Sequence, residues 1–242
     1  MFCSIYLLIK NNLYNILYLI INKIYWSYTI NTQLVIFDLD GTLCDTFDDI
    51  YLSLKHSLDN FNVFTHSLNE VKSFIGDGLA LLIERTLNVT NQAYLKNDIL
   101  ASFMQYYKEH CTDSTLLFPG MENVLKELYK KNVYMAVVSN KAYHLVDIII
   151  KELDLYDYFK FVYGGDSFDE KKPSAKPLLN IINSLSVIPD NSFMIGDSDN
   201  DVLAGAAAGM KTIYCSYGYS PLKKSTSDYI VDNPLDILNF IR

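Results

Sequence analysis

Between Gln33 and the C-terminus, short apolar runs alternate with helix-like stretches, and this alternation constrains the fold more than any other feature. Leu34 to Phe37 (LVIF) stops at Asp38, and Val133 to Val138 (VYMAVV) stops at Ser139. Phe161 to Tyr163 (FVY) stops at Gly164-Gly165-Asp166, and Ser192 to Ile195 (SFMI) at Gly196-Asp197. Continuous apolar runs of this length read as strands buried on both faces. Lys211 to Tyr214 and Tyr229 to Val231 extend the series. Helices are predicted over 121–131, 143–153, 174–185 and 201–208, with Pro177 near one start and Gly209 as a C-cap. Strands and helices in alternation imply βαβ units and a doubly wound, mostly parallel sheet. Residues 46–117 break the pattern, offering helical periodicity over 47–58, 78–87 and 91–110 and no good strand. The expected organisation is an α/β core from 33–45 and 118–242, with 46–117 inserted as an all-helical cap over the sheet.

Residues 1–32 stand apart as a hydrophobic extension. Lys10, Asn11, Asn12, Asn15, Asn22 and Lys23 interrupt every window long enough to span a membrane. There is no basic start or small-residue cleavage site of a secretory signal. Three readings stand: a membrane anchor, a packing helix, or upstream sequence brought in by a misassigned start, which ranks first because a complete domain follows. Against that ranking, no methionine lies between Met1 and Met104.

A net charge of −8 with no Lys/Arg cluster argues against nucleic acid as a partner. It also requires an anionic substrate to be attracted by local donors or a cation. Cys3, Cys44, Cys111 and Cys215 show no CxxC spacing, so neither a zinc site nor a disulfide framework is expected, and a reducing cytoplasm is the simpler setting.

The strand ends are where an open α/β sheet places its ligands. DLDGT (Asp38 to Thr42) sets two carboxylates two positions apart, an expensive arrangement unless a cation or proton relieves it. Asp38 reads as a nucleophile and Asp40 as the acid that protonates a leaving oxygen and then the base for water. Gly41 allows a sharp turn and close approach to a ligand, with Thr42 beside it; the alternative is an Asx-type turn. Ser139-Asn140-Lys141 offers a hydroxyl and backbone N–H groups to a phosphate, or simply starts a helix. Lys172 in EKKPSAKP would offset developing negative charge, with Lys171 and Lys176 as competitors. In GDSDND, Asp197 and Asp201 supply oxygen ligands suited to magnesium, or cap the next helix.

DLDGTLCDT, VVSNK, the lysine before Pro173 and MIGDSDNDVLAGAAAGM resemble, in order, the four motifs of the haloacid dehalogenase-like hydrolase superfamily. The resemblance covers Gln33 to Arg242. It implies a Rossmann-like hydrolase core, a phosphorylated nucleophile at Asp38, acid/base work at Asp40, phosphate held by Ser139, and Lys172 bridging nucleophile and phosphate. It further implies Mg2+ bound by Asp38, the Asp40 carbonyl and Asp197, supported by Asp201. Within the superfamily the chain is similar to the phosphoglycolate phosphatase family, through FIGDGLALLIERTL, LFPGMENVLKEL and GGDSFDEKKPSAKPLL. Ala175 departs from that family's usual proline. Gly76, Asp77 and Gly78 would then lie in the cap over the substrate, with Gly76 and Gly78 binding it. The expected partner is a small phosphorylated metabolite, not a membrane, and the chain is expected to be a monomer or homodimer. Pyrophosphatase, nucleotidase and sugar-phosphate mutase activities use the same core motifs; a membrane-tethered binding module is the rival without chemistry.

Overall fold

The computed structural model describes residues 33–64, 66–223 and 225–241. The expectations for the N-terminal extension lie outside the described residues. Among the described residues no helix is long and apolar enough to cross a membrane.

The strands are β1 (Leu34–Phe37), β4 (Tyr134–Val138), β5 (Phe161–Tyr163), β6 (Ser192–Gly196), β7 (Lys211–Cys215) and β8 (Tyr229–Val231). They form one six-stranded sheet in the order β5-β4-β1-β6-β7-β8, and every pairing is parallel. Side-chain parity divides the core between the two faces. On β1, Val35 and Phe37 join Met135, Val137, Phe193 and Ile195 on one face, while Leu34 and Ile36 join Ala136, Val138 and Met194 on the other. The first face is covered by α5 (Met121–Lys130) and α6 (Tyr143–Glu152), which bury Val124, Leu125, Leu128, Val146, Ile149 and Ile150 at helical spacing. The second is covered by α7 (Lys176–Leu185), with Pro177 in its first turn, and α8 (Asp199–Ala207). Helices on both faces of a parallel sheet give the doubly wound fold.

Between β1 and α5 the chain leaves the sheet to build the helical cap: α1 (Phe47–Asp59), α2 (Leu68–Phe74), α3 (Leu79–Thr90) and α4 (Lys96–His110). Phe47, Ile50, Leu54 and Leu58 of α1 pack in one cluster with Ile99, Phe103 and Tyr107 of α4. Two features depart from the expected pattern. The span expected to lack strands ends in one, because β2 (Cys44–Asp45) pairs antiparallel with β3 (Leu116–Leu117) where the chain leaves and re-enters the core. Two residues per strand are too few to carry a period. The helix expected over 91–110 is instead broken, since Asn91 takes a left-handed φ of 58° that ends α3, and α4 starts only at Lys96. α2 was not anticipated, although Ser67 and Glu70 form the capping box that SLNE spells.

Register fixes where the chemistry sits. Phe37 pairs with Val137 on β4 and with Ile195 on β6. The residues that follow these strands, Asp38, Ser139 and Asp197, therefore emerge at one edge of the sheet. Strand β1 is the switch point between its two halves, where open sheets leave a crevice.

Candidate active site

Asp38, directly after β1, is buried and held through Oδ1, which accepts a bond from the Leu39 N–H at 2.7 Å and lies 3.0 Å from Lys172 Nζ. Among the described residues Oδ2 carries no hydrogen bond. Lys172 is 2% exposed and also donates to Asp201 Oδ1 at 2.6 Å. Burial works against its charge, but Asp201 and Asp38 outweigh that and hold its pKa above the usual lysine range. The competing lysines lie elsewhere: Lys171 donates to the Asp77 carbonyl at 2.7 Å, and Lys176 pairs with Asp169.

Asp38, Asp197 and Asp201 each offer a carboxylate oxygen within 4.8 Å of the others, and all three are buried. Burial, then Asp201, push Asp38 up to about 7, with Lys172 opposing and Asp40 adding to the rise. Burial, then Asp201 and Asp38, raise Asp197 well above the usual carboxylate range. One ammonium among three buried carboxylates leaves excess negative charge, and an all-oxygen donor set of this kind fits a hard divalent cation such as magnesium. The donors are unequal. Asp201 Oδ1 is taken by Lys172, and its Oδ2 accepts the Ser198 N–H and hydroxyl in a capping box. The capping reading of Asp201 therefore holds, and the same side chain belongs to the buried carboxylate cluster. Among the described residues, Asp197 accepts only the Tyr219 N–H, through Oδ2, at 2.6 Å. Asp199, between them in sequence, faces away to Lys223 and Ser225.

Glycines make this closeness possible. A Cβ on Gly196 would lie 2.1 Å from the Asp201 carboxyl carbon, and one on Gly41, at φ +80°, 2.3 Å from Asp197 Oδ2. Gly41 thus packs against a cluster carboxylate, while Thr42 is fully buried with its carbonyl accepting from Tyr217. Neither lines the cavity described next.

Asp40 stands beside the cluster, its Oδ1 accepting from Thr46 Oγ1 at 2.6 Å and Lys141 Nζ at 2.5 Å. Both side chains of the Lys141–Asp40 ion pair are largely buried. Sequence reasoning singled out neither Thr46 nor Lys141 as a site residue. Lys141 stands in VVSNK directly after an apolar strand, and its burial becomes visible only in the fold. Ser139 is buried, and its Oγ accepts the Lys141 N–H at 3.3 Å. Asn140 donates to the carbonyls of Gly76 and Lys172, and among the described residues its buried Oδ1 has no partner.

A cavity of about 70 Å³ lies over Asp38, Asp40, Ser139, Asn140 and Lys141 and under the cap residues Ile75, Gly76, Gly78, Leu82 and Tyr107. The cap loop is tied down across it. Asn200 donates to Asp77 Oδ1 at 2.6 Å, Arg85 pairs with the same carboxylate, and Ser220 reaches the Ile75 carbonyl. Partial burial opposes the charge of Asp77, but hydrogen bonds from Asn200 and Arg85 hold its pKa below the usual range.

A family model described as haloacid dehalogenase-like hydrolase matches residues 35–215. A phosphoglycolate phosphatase of Aquifex aeolicus (strain VF5) is 33% identical over 209 residues, covering 86% of this chain and 96% of that protein. One from Neisseria meningitidis serogroup A is 34% identical over 202 residues, 82% of this chain and 86% of that protein. The crystal structure of a predicted phosphoglycolate phosphatase from Haemophilus somnus 129Pt superposes with a TM-score of 0.81 at 30% identity, covering 86% of this chain and 97% of the other.

Proposed function

Because the chain belongs to the haloacid dehalogenase-like hydrolase family and is a phosphomonoester hydrolase, we propose that it converts 2-phosphoglycolate to glycolate and phosphate, with magnesium and through a phosphorylated Asp38. The observation that carries this reading is the cleft in which a buried carboxylate, bridged by Lys172, faces a second carboxylate at Asp40.

Asp38 attacks phosphorus as the ester P–O bond breaks, and Asp40 gives its proton to the departing alkoxide oxygen. Asp40, now a carboxylate, takes a proton from a water that attacks the same phosphorus. The bond to Asp38 breaks, phosphate leaves, and the nucleophile is restored. Lys172 holds the Asp38 carboxylate and offsets charge on the transferring group. Ser139 and Asn140 are the phosphate-binding residues of this reading, and Thr46 and Lys141 fix the direction of Asp40. Asp38 and Asp197 would hold the magnesium with the Asp40 carbonyl, supported by Asp201. Bound there, the ion offsets negative charge on the carboxylates and on the phosphate. The helical cap, residues 46–117 in this reading, closes over the alcohol and excludes bulk water.

Identity of 33–34% over most of the chain to proteins described as phosphoglycolate phosphatases favours this ester over a nucleotide or a sugar phosphate. Comparing kcat/KM for 2-phosphoglycolate, pyrophosphate, nucleoside monophosphates and hexose phosphates in magnesium buffer tests the proposal. The expected result is 2-phosphoglycolate ahead by about tenfold or more, roughly 1.4 kcal/mol. A nucleotide, pyrophosphate or sugar phosphate ahead of it would overturn the substrate assignment.

A further inference from the structure

The loop that follows β7 is pressed onto the segment carrying Asp40 on one side and onto Asp197 on the other. Tyr217 Oη donates to the Thr42 carbonyl at 3.1 Å, and the Tyr219 N–H donates to Asp197 Oδ2 at 2.6 Å. Between them, a Cβ on Gly218 would lie 2.3 Å from Asp197 Cβ and 2.4 Å from the Gly41 carbonyl oxygen. The Tyr219 side chain then reaches the point where the chain leaves the core for the cap. Its Oη donates to Asp45 Oδ1 at 2.6 Å and accepts the Thr46 N–H at 2.7 Å.

Those two bonds fix the hydroxyl. A carboxylate only accepts, so the phenolic hydrogen goes to Asp45 and a lone pair faces Thr46. The ring is 9% exposed and packs beside Phe47 and Phe118, with centroids 6.0 and 6.5 Å away. Thr46 is the N-cap of α1, where a threonine hydroxyl ordinarily accepts from the first turn of its helix. Here the side chain makes no such bond, and the backbone, at φ −108° and ψ 5°, lies outside the extended conformation of that role. The buried hydroxyl donates to Asp40 Oδ1 instead, at 2.6 Å. Lys141 donates to the same oxygen, which leaves Oδ2 to carry the proton that the mechanism moves. A helix cap has been given up to hold one oxygen of Asp40.

We propose that Tyr219 is a positioning residue for proton transfer at Asp40. Its phenol, anchored by Asp45, holds the Thr46 peptide in the conformation that turns the threonine hydroxyl onto Asp40. This rests on the acid/base reading of Asp40 and deepens it. Through its backbone N–H the same residue holds Asp197, so one loop position sets the spacing between the acid/base and the carboxylate cluster.

The test compares kcat/KM in magnesium buffer for an alkyl phosphate and for acetyl phosphate, whose acetate leaving group needs no proton. The alkyl ester is whichever turns over best, so the ratio does not depend on 2-phosphoglycolate being the substrate. Asp40→Asn is expected to lower the alkyl-to-acetyl ratio about 10²-fold or more, the usual scale of a general acid. Tyr219→Phe keeps the ring and the N–H to Asp197. It should lower the ratio by part of that effect, about tenfold, with the Mg2+ concentration for half-maximal rate as in wild type. Thr46→Val should act likewise, and Thr46→Ser, which keeps the hydroxyl, should retain the wild-type ratio. Because Tyr219 acts through Thr46, adding Tyr219→Phe to Thr46→Val should lower the ratio no further. Equal losses on both esters, additive losses, or a weaker response to Mg2+ at an unchanged ratio would overturn the inference and leave Tyr219 a structural residue. An unchanged ratio in Asp40→Asn would remove the acid role itself. A ratio lowered by Asp40→Asn but not by Tyr219→Phe removes Tyr219 alone. Should Tyr219→Phe fail to fold, an unchanged ratio in Thr46→Val still overturns the link from Tyr219 to Asp40.

Discussion

Asp49 and Asp38 are buried to nearly the same degree, 2% and 5% exposed, yet the protein treats the two carboxylates in opposite ways. Asp49, on α1, accepts the backbone N–H groups of Ser114 and Thr115 and the Thr115 hydroxyl, at 2.7 to 3.0 Å. It ties the first cap helix to the segment that leads back to the core. Asp38 faces Asp197 and Asp201 across less than 4.8 Å, with one lysine among them. A carboxylate given donors is a structural fastening. One crowded by like charges suits the cation and the phosphate of the proposed mechanism.

The largest effect that separates them is on turnover. Asp38→Asn should reduce kcat/KM by about 10³-fold or more, at least about 4 kcal/mol of transition-state stabilisation, without loss of folding. Asp49→Ala should leave the chemical groups in place and unfold the protein more easily. Unpairing buried donors costs roughly 1–3 kcal/mol each, so a loss of about 3 kcal/mol in denaturant melts is expected. If Asp49→Ala were as inactive as Asp38→Asn while equally stable, the contrast would fail.

The smallest effect is on the pH dependence of stability in the metal-free protein. With Asp38 pushed up to about 7 and an unfolded value near 4, the native state holds a proton between those limits that the unfolded chain has released. Stability from this group is therefore full below about pH 4 and falls as pH rises to 7, by up to about 1.4 kcal/mol per unit. Melts in chelator should drop from pH 5 to pH 7, Mg2+ should restore the loss, and Asp38→Asn should flatten the slope. A slope unchanged in Asp38→Asn would place the strain elsewhere.

Much of this was legible before any coordinates. An apolar run ended by a charged residue marks a buried strand meeting a crevice, so Asp38, Ser139 and Asp197 could be aligned from the sequence, and register then brought them together. Lys172 was separable from Lys171 and Lys176 only through motif context, because burial distinguishes them and burial is a property of the whole fold. Thr46, Lys141, Tyr107 and Tyr219 were not legible as site residues. Tyr107 is one of nineteen tyrosines, and it meets the cavity only through the packing of α4 in the fold. Tyr219 reaches Asp197 over 22 positions and Asp45 over 174, separations that no local pattern encodes. The β2–β3 ribbon escaped for the opposite reason, being too short to show a pattern at all.

The central claim is that Asp38 carries the phosphoryl group. Asp40→Asn removes the base that should release it, so mixing that variant with substrate and magnesium should accumulate a phosphoenzyme. Mass spectrometry of the rapidly quenched protein should find one added phosphoryl group on the peptide containing Asp38, absent when Asp38 is also asparagine. A phosphoryl group on any other residue would contradict the account.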